Sequence, residues 1–181
     1  MDDDAIMLQA VRGDKAAFGR IVKDYGPRMA RFAFRMIGDR DAAVDVVQDA
    51  FVKLWQSRAH YTPSGAVDSY LFQIVRNACI DYIRANRRWV QVRLEDDADV
   101  LATSCESAVM SSVLSDAVAA ALLELPELQR VVFVLNEYEG LTYDEIADVL
   151  GCPKGTVASR KYAAVDALRK RLQPMVDGRD E

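Results

Sequence analysis

Residues 142–162 read TYDEIADVLGCPKGTVASRKY, and the punctuation of this stretch decides the fold class. Thr142 and Glu145 stand three apart. At that spacing a Thr cap and a Glu side chain satisfy each other's unpaired backbone donors at a helix start. Ile146, Ala147 and Leu150 then recur on one helical face. Gly151 supplies the left-handed stop. Cys152 can cap a second helix, with Pro153 in its first turn, where a missing N–H costs nothing. Ala147 is small enough to let two helices cross closely, and Val157 is placed to lock the second onto the first. Two short helices on so tight a turn predict a helix-turn-helix. The second helix carries Lys154, Thr156, Ser159, Arg160 and Lys161 in its N-terminal half, donors suited to phosphate oxygens and base edges. The plainer alternative is a helical hairpin with a solvated basic face.

Outward from this motif almost everything reads as helix, so the fold class is all-α. Asp2–Asp4 can cap a first helix to about Val11, and Asp14 a second to Tyr25. Gly26-Pro27 predicts a break before a third helix at Arg28–Ile37. Gly38 ends that helix, Asp39 or Asp41 opens a fourth through Gln56, and Asp68 or Ser69 opens a fifth to about Arg88. Four more are expected at about 114–124, 126–138, 142–150 and 153–172. Residues 95–112 lack bulky core residues and hold Glu95, Asp96, Asp97 and Asp99, the composition of a flexible acidic linker. The organisation predicted is two small helical domains: an N-terminal bundle over 1–92, a linker over 93–113 and a helix-turn-helix domain over 114–181. Two such units on a strap can touch two sites far apart.

The chain has 181 residues and a net charge of −5, which by itself argues against a polyanion partner. The distribution argues for one. Residues 1–88 carry 14 basic and 11 acidic side chains, whereas 116–148 hold eight acids and only Arg130. Lys154, Arg160, Lys161, Arg169, Lys170 and Arg171 then face only Asp166, so two local basic patches survive a negative total. For Arg169–Arg171, complementing a helix dipole is an equally good reading. Three scattered cysteines and no CxxC pair fit a reducing cytoplasm. No signal peptide or membrane-length apolar run is expected, so neither is direct membrane insertion. The single histidine, His60, excludes multi-His metal sites. No metal or other cofactor is expected. No paired carboxylates or glycine-rich phosphate loop suggest an enzyme.

Two helices of the first domain are informative. Val44, Val47, Phe51, Leu54 and Trp55 predict a buried stripe. Asp45, Gln48, Asp49, Val52 and Gln56 fall on the other side, a polar face with an apolar residue at its middle. In the next helix Leu71, Ile74, Val75, Ala78, Tyr82 and Ile83 are expected inward. Asn77, Asp81, Arg84 and Arg88 run along another face, flanked by Gln73, Arg76 and Arg87. Tyr61 and Tyr70 bracket the preceding loop. Aromatics beside a basic helix suit stacking on unpaired bases, with core packing the better reading for Tyr70 and Tyr82.

Three runs carry a family resemblance. They are Asp45–Trp55, Tyr70–Asn77 continuing to Asp81 and Arg84, and the set Leu125-Pro126, Val131–Phe133, Glu139–Ala147 and Gly155–Arg160. In this order the chain resembles the bacterial extracytoplasmic-function sigma factors of RNA polymerase, of the sigma-70 family, over essentially its full length. The resemblance implies an alternative sigma factor and not an enzyme. Asp45, Gln48, Asp49, Val52 and Gln56 would dock on core RNA polymerase. His60, Tyr61, Arg76, Asn77, Arg84, Arg87 and Arg88 would open and hold the −10 element of promoter DNA. Lys154, Thr156, Ser159, Arg160, Lys161 and Tyr162 would contact the −35 element. Glu95–Asp99 would mimic nucleic acid in a polymerase channel. An anti-sigma factor, often membrane-anchored, is an expected partner. Only Asp45 stands just before Gln48 where many members carry more acids, and Ala158 and Ala163 stand where basic residues are common. From the residues alone, a free-standing helix-turn-helix regulator remains the alternative. A helical adaptor that binds only protein is a further rival.

Overall fold

The computed structural model describes residues 3–58, 61, 67–94 and 112–177, and side chains within these except at 87–94, 112–116 and 174–177. Among the described residues are eight helices and no strands: α1 Asp3–Val11, α2 Lys15–Ile37, α3 Arg40–Ser57, α4 Val67–Leu94, α5 Ser112–Glu124, α6 Glu127–Glu137, α7 Tyr143–Leu150 and α8 Lys154–Asp177. Asp14 caps α2 by accepting from the Ala16 and Ala17 amides, and Asp39 caps α3 through the Ala42 amide. Gly38 ends α2 in the left-handed conformation, φ 86°, which a side chain would resist. His60, the loop 62–66, Glu95–Asp99 and the side chains of Arg87 and Arg88 lie outside the described residues.

The expected break at Gly26-Pro27 does not occur: α2 runs through it. A helix-interior proline costs about 3 kcal/mol. On the same helix Ile21, Met29, Phe32, Ala33 and Met36 are buried. Each large side chain among them contributes about 1.5–3 kcal/mol, so packing outweighs the penalty. Pro27 and Lys23 are both exposed, so water can take the carbonyl that the missing N–H abandons. A second correction concerns α3. Its buried face is Ala43, Val46, Val47, Ala50, Phe51 and Leu54, while Val44 is exposed. Val44 lies 100° round the helix from Ala43 and falls off the stripe.

Helices α1–α4 pack as one bundle and α5–α8 as another. Phe32 and Phe72 meet edge to face at 5.3 Å in the centre of the first. Ile146, Val149 and Val157 cross between α7 and α8 in the second. The two bundles do not stand apart, as a tether alone suggested. Helix α2 packs on α5 and α6, α4 packs on α7, and one apolar cluster runs continuously from Phe32 and Phe72 into Val131, Leu135 and Ile146. Arg130 is 3% exposed and sits at this seam. Its guanidinium donates to the carbonyls of Met36 and Leu123, in the last turns of α2 and α5, and of Leu125 in the turn after α5; last-turn carbonyls have no acceptor role within their own helix.

Candidate nucleic-acid and polymerase interface

The turn that orients α8 is built as its sequence predicts. The Thr142 amide donates to Glu145 Oε2 at 2.8 Å, and the Glu145 amide returns to Thr142 Oγ1 at 3.3 Å. The Thr142 hydroxyl bond and backbone bond hold the Glu145 carboxyl below its ordinary value. Gly151 is left-handed at φ 60°. The Cys152 amide donates to the Ala147 carbonyl at 3.1 Å, closing the turn. Pro153 lies one residue before α8, and its carbonyl accepts from Thr156 and Val157.

On α8, Val157, Lys161, Ala164 and Leu168 form the buried side. The outer side presents Ser159 and Tyr162, and Tyr162 is 77% exposed. The Ser159 hydroxyl donates back to the Thr156 carbonyl at 3.0 Å. Lys154 is exposed and pairs with Asp144 at 2.7 Å. Thr156 and Arg160 are half-buried, and Arg160 Nη1 donates to Cys152 Sγ at 3.7 Å. Lys161 is buried, unlike the other donors of its set. Its ammonium donates to Asn136 Oδ1 at 2.8 Å, pairs with Glu137, and sits over the Phe133 ring. It points into the bundle because it follows Val157 by one helical turn, on the buried face. Further along, Lys170 pairs with Asp166 and Arg171 with Glu124, so these cations serve the helix and its neighbour.

On α3 all five residues of the expected docking face, Asp45, Gln48, Asp49, Val52 and Gln56, are exposed together. Val52 is 53% exposed, and the misassigned Val44 stands exposed on the same helix. That is an apolar spot ringed by carboxylates and amides.

The α4 set divides. Asn77 is exposed with Gln73 and Asp81 one turn to either side. Arg84 is exposed and reaches Glu127 at 3.7 Å. Arg76 is half-buried: Nη2 donates to the Val149 carbonyl at 2.9 Å, and Nε is buried without a partner. Burial lowers its pKa, partly offset by Cys152. Tyr61 is no stacking platform here. It is buried, packs edge-on against Tyr70 at 4.8 Å, and its hydroxyl donates to Asp4 Oδ1 at 3.3 Å. Burial and the Asp4 charge push its pKa to about 12.

The sequence reading missed a cluster across the seam. Arg28 Nη1 contacts Asp68 at 2.6 Å, Arg28 Nε contacts Glu139 at 3.0 Å, and Arg35 reaches the same Glu139 at 3.6 Å. Arg130 was visible only as the lone base in an acidic stretch. Nothing in the sequence pairs Arg28 with a residue 111 positions away.

The sigma-70 region 2 family matches residues 21–89, and the sigma-70 region 4 family matches 115–168. The chain is 31% identical to the RNA polymerase sigma-H factor of Pseudomonas aeruginosa, covering 96% of this chain and 95% of that one. It is 29% identical to the ECF RNA polymerase sigma-E factor of Escherichia coli K12, covering 97% of each. Among solved structures, CnrH in complex with the cytosolic domain of CnrY superposes with a TM-score of 0.70 at 25% identity, over 99% of both chains. The sigma factor RpoE of Bartonella quintana, in complex with the anti-sigma factor NepR, gives 0.69 at 25% identity over 86% of this chain and 96% of that one.

Proposed function

From the premise that the chain belongs to the extracytoplasmic-function sigma factors of the sigma-70 family and is an alternative sigma factor of transcription initiation, we propose how its surfaces divide the work. The exposed face of α3, with Val52 inside Asp45, Gln48, Asp49 and Gln56, docks on core RNA polymerase. The outer face of α4, with Asn77 and Arg84, engages the −10 element, joined by Arg76, Arg87, Arg88 and His60. The outer face of α8, with Ser159 and Tyr162 flanked by Lys154, Thr156 and Arg160, contacts the −35 element. Lys161 and Tyr61 are left out because their polar atoms already serve the protein interior.

The single observation that carries this reading is the outer face of α8. Tyr162 stands 77% exposed on a helix whose opposite side is anchored by Val157, Ala164 and Leu168. An aromatic held out from the N-terminal half of the second helix of a helix-turn-helix stands where such a helix meets the major groove of DNA. Bases are read on their single-strand faces only once they leave the stack, at a few kcal/mol per step. The chain alone offers too little surface for that, so tight promoter binding depends on polymerase. The protein is not itself an enzyme. It acts in the cytoplasm, where its thiols stay reduced. No described helix is long and apolar enough to cross a membrane. Glu95–Asp99 mimics nucleic acid in the polymerase, and the division into 1–92, 93–113 and 114–181 follows from these roles. An anti-sigma factor is a proposed partner; the similar Bartonella protein is in complex with one, NepR.

Gel-shift and permanganate footprinting with and without core polymerase test the whole reading. Two contact zones with a melted segment between, seen only with core, are expected. A symmetric duplex footprint from the chain alone would instead establish a free-standing regulator.

A further inference from the structure

We propose that Lys161 is a positioning residue for −35 recognition: its buried ammonium fixes the rotation of α8 about its own axis and so decides how Ser159 and Tyr162 meet a base pair. The proposal rests on the reading of the outer face of α8 as the −35 contact, and it concerns a buried charge which that reading does not use. The Lys161 side chain is only 8% exposed, one turn from the buried Val157 and Ala164. An ammonium carries three N–H donors. This one donates to Asn136 Oδ1 at 2.8 Å and to the Glu137 carboxylate, and stands 4.6 Å from the centre of the Phe133 ring. All three partners belong to α6. Asn136 carries the contact further: its Nδ2 donates to the Leu141 carbonyl at 3.0 Å, while the Leu141 amide donates to the Leu135 carbonyl at 3.0 Å. Leu141 immediately precedes Thr142, the cap of α7. The end of α6, the start of α7 and the DNA-facing half of α8 are thus joined through one side chain.

Stability does not call for a charge at this place. Burying an ammonium strips its hydration, and an apolar side chain of like size is commonly as stable there or more so. What the ammonium adds is direction. Val157 belongs to the apolar cluster that includes Ile146 and Val149, whereas Ala164 and Leu168 belong to another with Leu122. Lys161 stands between the two. Apolar contact is non-directional, and Ala164 offers only a methyl group to key into its neighbours. Hydrogen bonds to acceptors fixed on α6 are directional and resist a turn of α8. Side chains reach about 6 Å from a helix axis, so a turn of about 10° carries an outer atom about 1 Å. A hydrogen bond to a base edge does not survive that displacement. Ser159 and Tyr162, exposed on the outer side, move with any such turn.

Lys161→Met, of like length and without the charge, tests this in the full chain with three measurements. Thermal unfolding by circular dichroism should place its midpoint within about 4 °C of the wild type. Residual dipolar couplings of the backbone amides should show α8 turned by about 10° or more relative to α6. Gel shifts with core polymerase, on a promoter the wild type binds and on single-base changes of its −35 element, should show discrimination between them reduced about tenfold. If Lys161→Met loses helix, Asn136→Leu, which removes the acceptor and leaves Lys161 in place, carries the same three measurements. A folded variant in which α8 has not turned would overturn the proposal. So would a turned α8 with −35 discrimination intact, and discrimination lost with α8 unmoved would make Lys161 a direct DNA contact instead. A turned α8 in the variant, beside a wild type that itself ignores the −35 sequence, would uphold the positioning of the helix and sink the promoter reading.

Discussion

Replacing Arg130 with alanine should cost more than any substitution on the exposed faces. The guanidinium is almost dry and donates to three backbone carbonyls, Met36 at the end of α2, Leu123 at the end of α5 and Leu125 in the following turn. A hydrogen bond from a charged donor is worth about 1.5–3 kcal/mol net. Three of them do not add, because water can reach some of the freed carbonyls and the desolvation of the cation is recovered. The expected loss is therefore about 3–5 kcal/mol, the range for breaking a buried charged network. Against a total stability of about 5–15 kcal/mol this is a large fraction. Thermal unfolding by circular dichroism should show Tm lower by roughly 10 °C, at about 2–4 °C per kcal/mol for a chain of this size. Arg130→Lys keeps the charge but cannot fork to three acceptors, and should lose about half as much. Arg84→Ala is the control. Its ion pair is 3.7 Å long and the arginine side chain is 61% exposed, so it should cost under about 1 kcal/mol. An Arg130→Ala protein that unfolds with the Arg84→Ala protein would refute the argument that the buried guanidinium ties the helix ends.

Other substitutions test the surfaces and the turn. Tyr162→Ala should change stability by no more than about 0.5 kcal/mol while weakening polymerase-dependent promoter binding by about 1–3 kcal/mol, read by titrated gel shifts on −35 variants. Val52→Glu should preserve the fold, since the side chain is exposed, but reduce affinity for core polymerase about tenfold or more in fluorescence titration. Thr142→Ala should cost about 1 kcal/mol by removing half of a capping box, seen as a lower urea midpoint. The same cap sets a pH dependence. Glu145 is held below its ordinary value by Thr142, so its contribution is present above the unfolded carboxyl pKa and lost as pH falls through the lower folded value. A midpoint in Thr142→Ala with the same acid dependence as wild type would contradict that. Burial pushes the Cys79 thiol up to about 12, so it should resist alkylation at pH 8 until the protein unfolds, by mass spectrometry.

The sequence by itself determined whatever depends on neighbours in the chain. The capping box at Thr142 and Glu145, the stop at Gly151 and the apolar face of α7 all specify the helix-turn-helix locally, because caps and turns act within a few residues. The polar face of α3 was legible for the same reason, since residues at 45, 48, 49, 52 and 56 share a side of any α-helix. What failed were the places where distant packing overrules local preference. Pro27 reads as a break, yet the helix continues because Ile21, Met29 and Phe32 bury one common face. Lys161 stands among the donors of α8 in the sequence, and the fold sets its ammonium against Asn136 and Glu137. Tertiary structure alone decided that the bundles abut, since pairing Arg28 with Glu139, or Arg130 with the Met36 carbonyl, requires parts of the chain about a hundred residues apart to meet in space. Charge type along a sequence says which groups need partners. Only the fold, by choosing which surfaces leave water, says which partners they find.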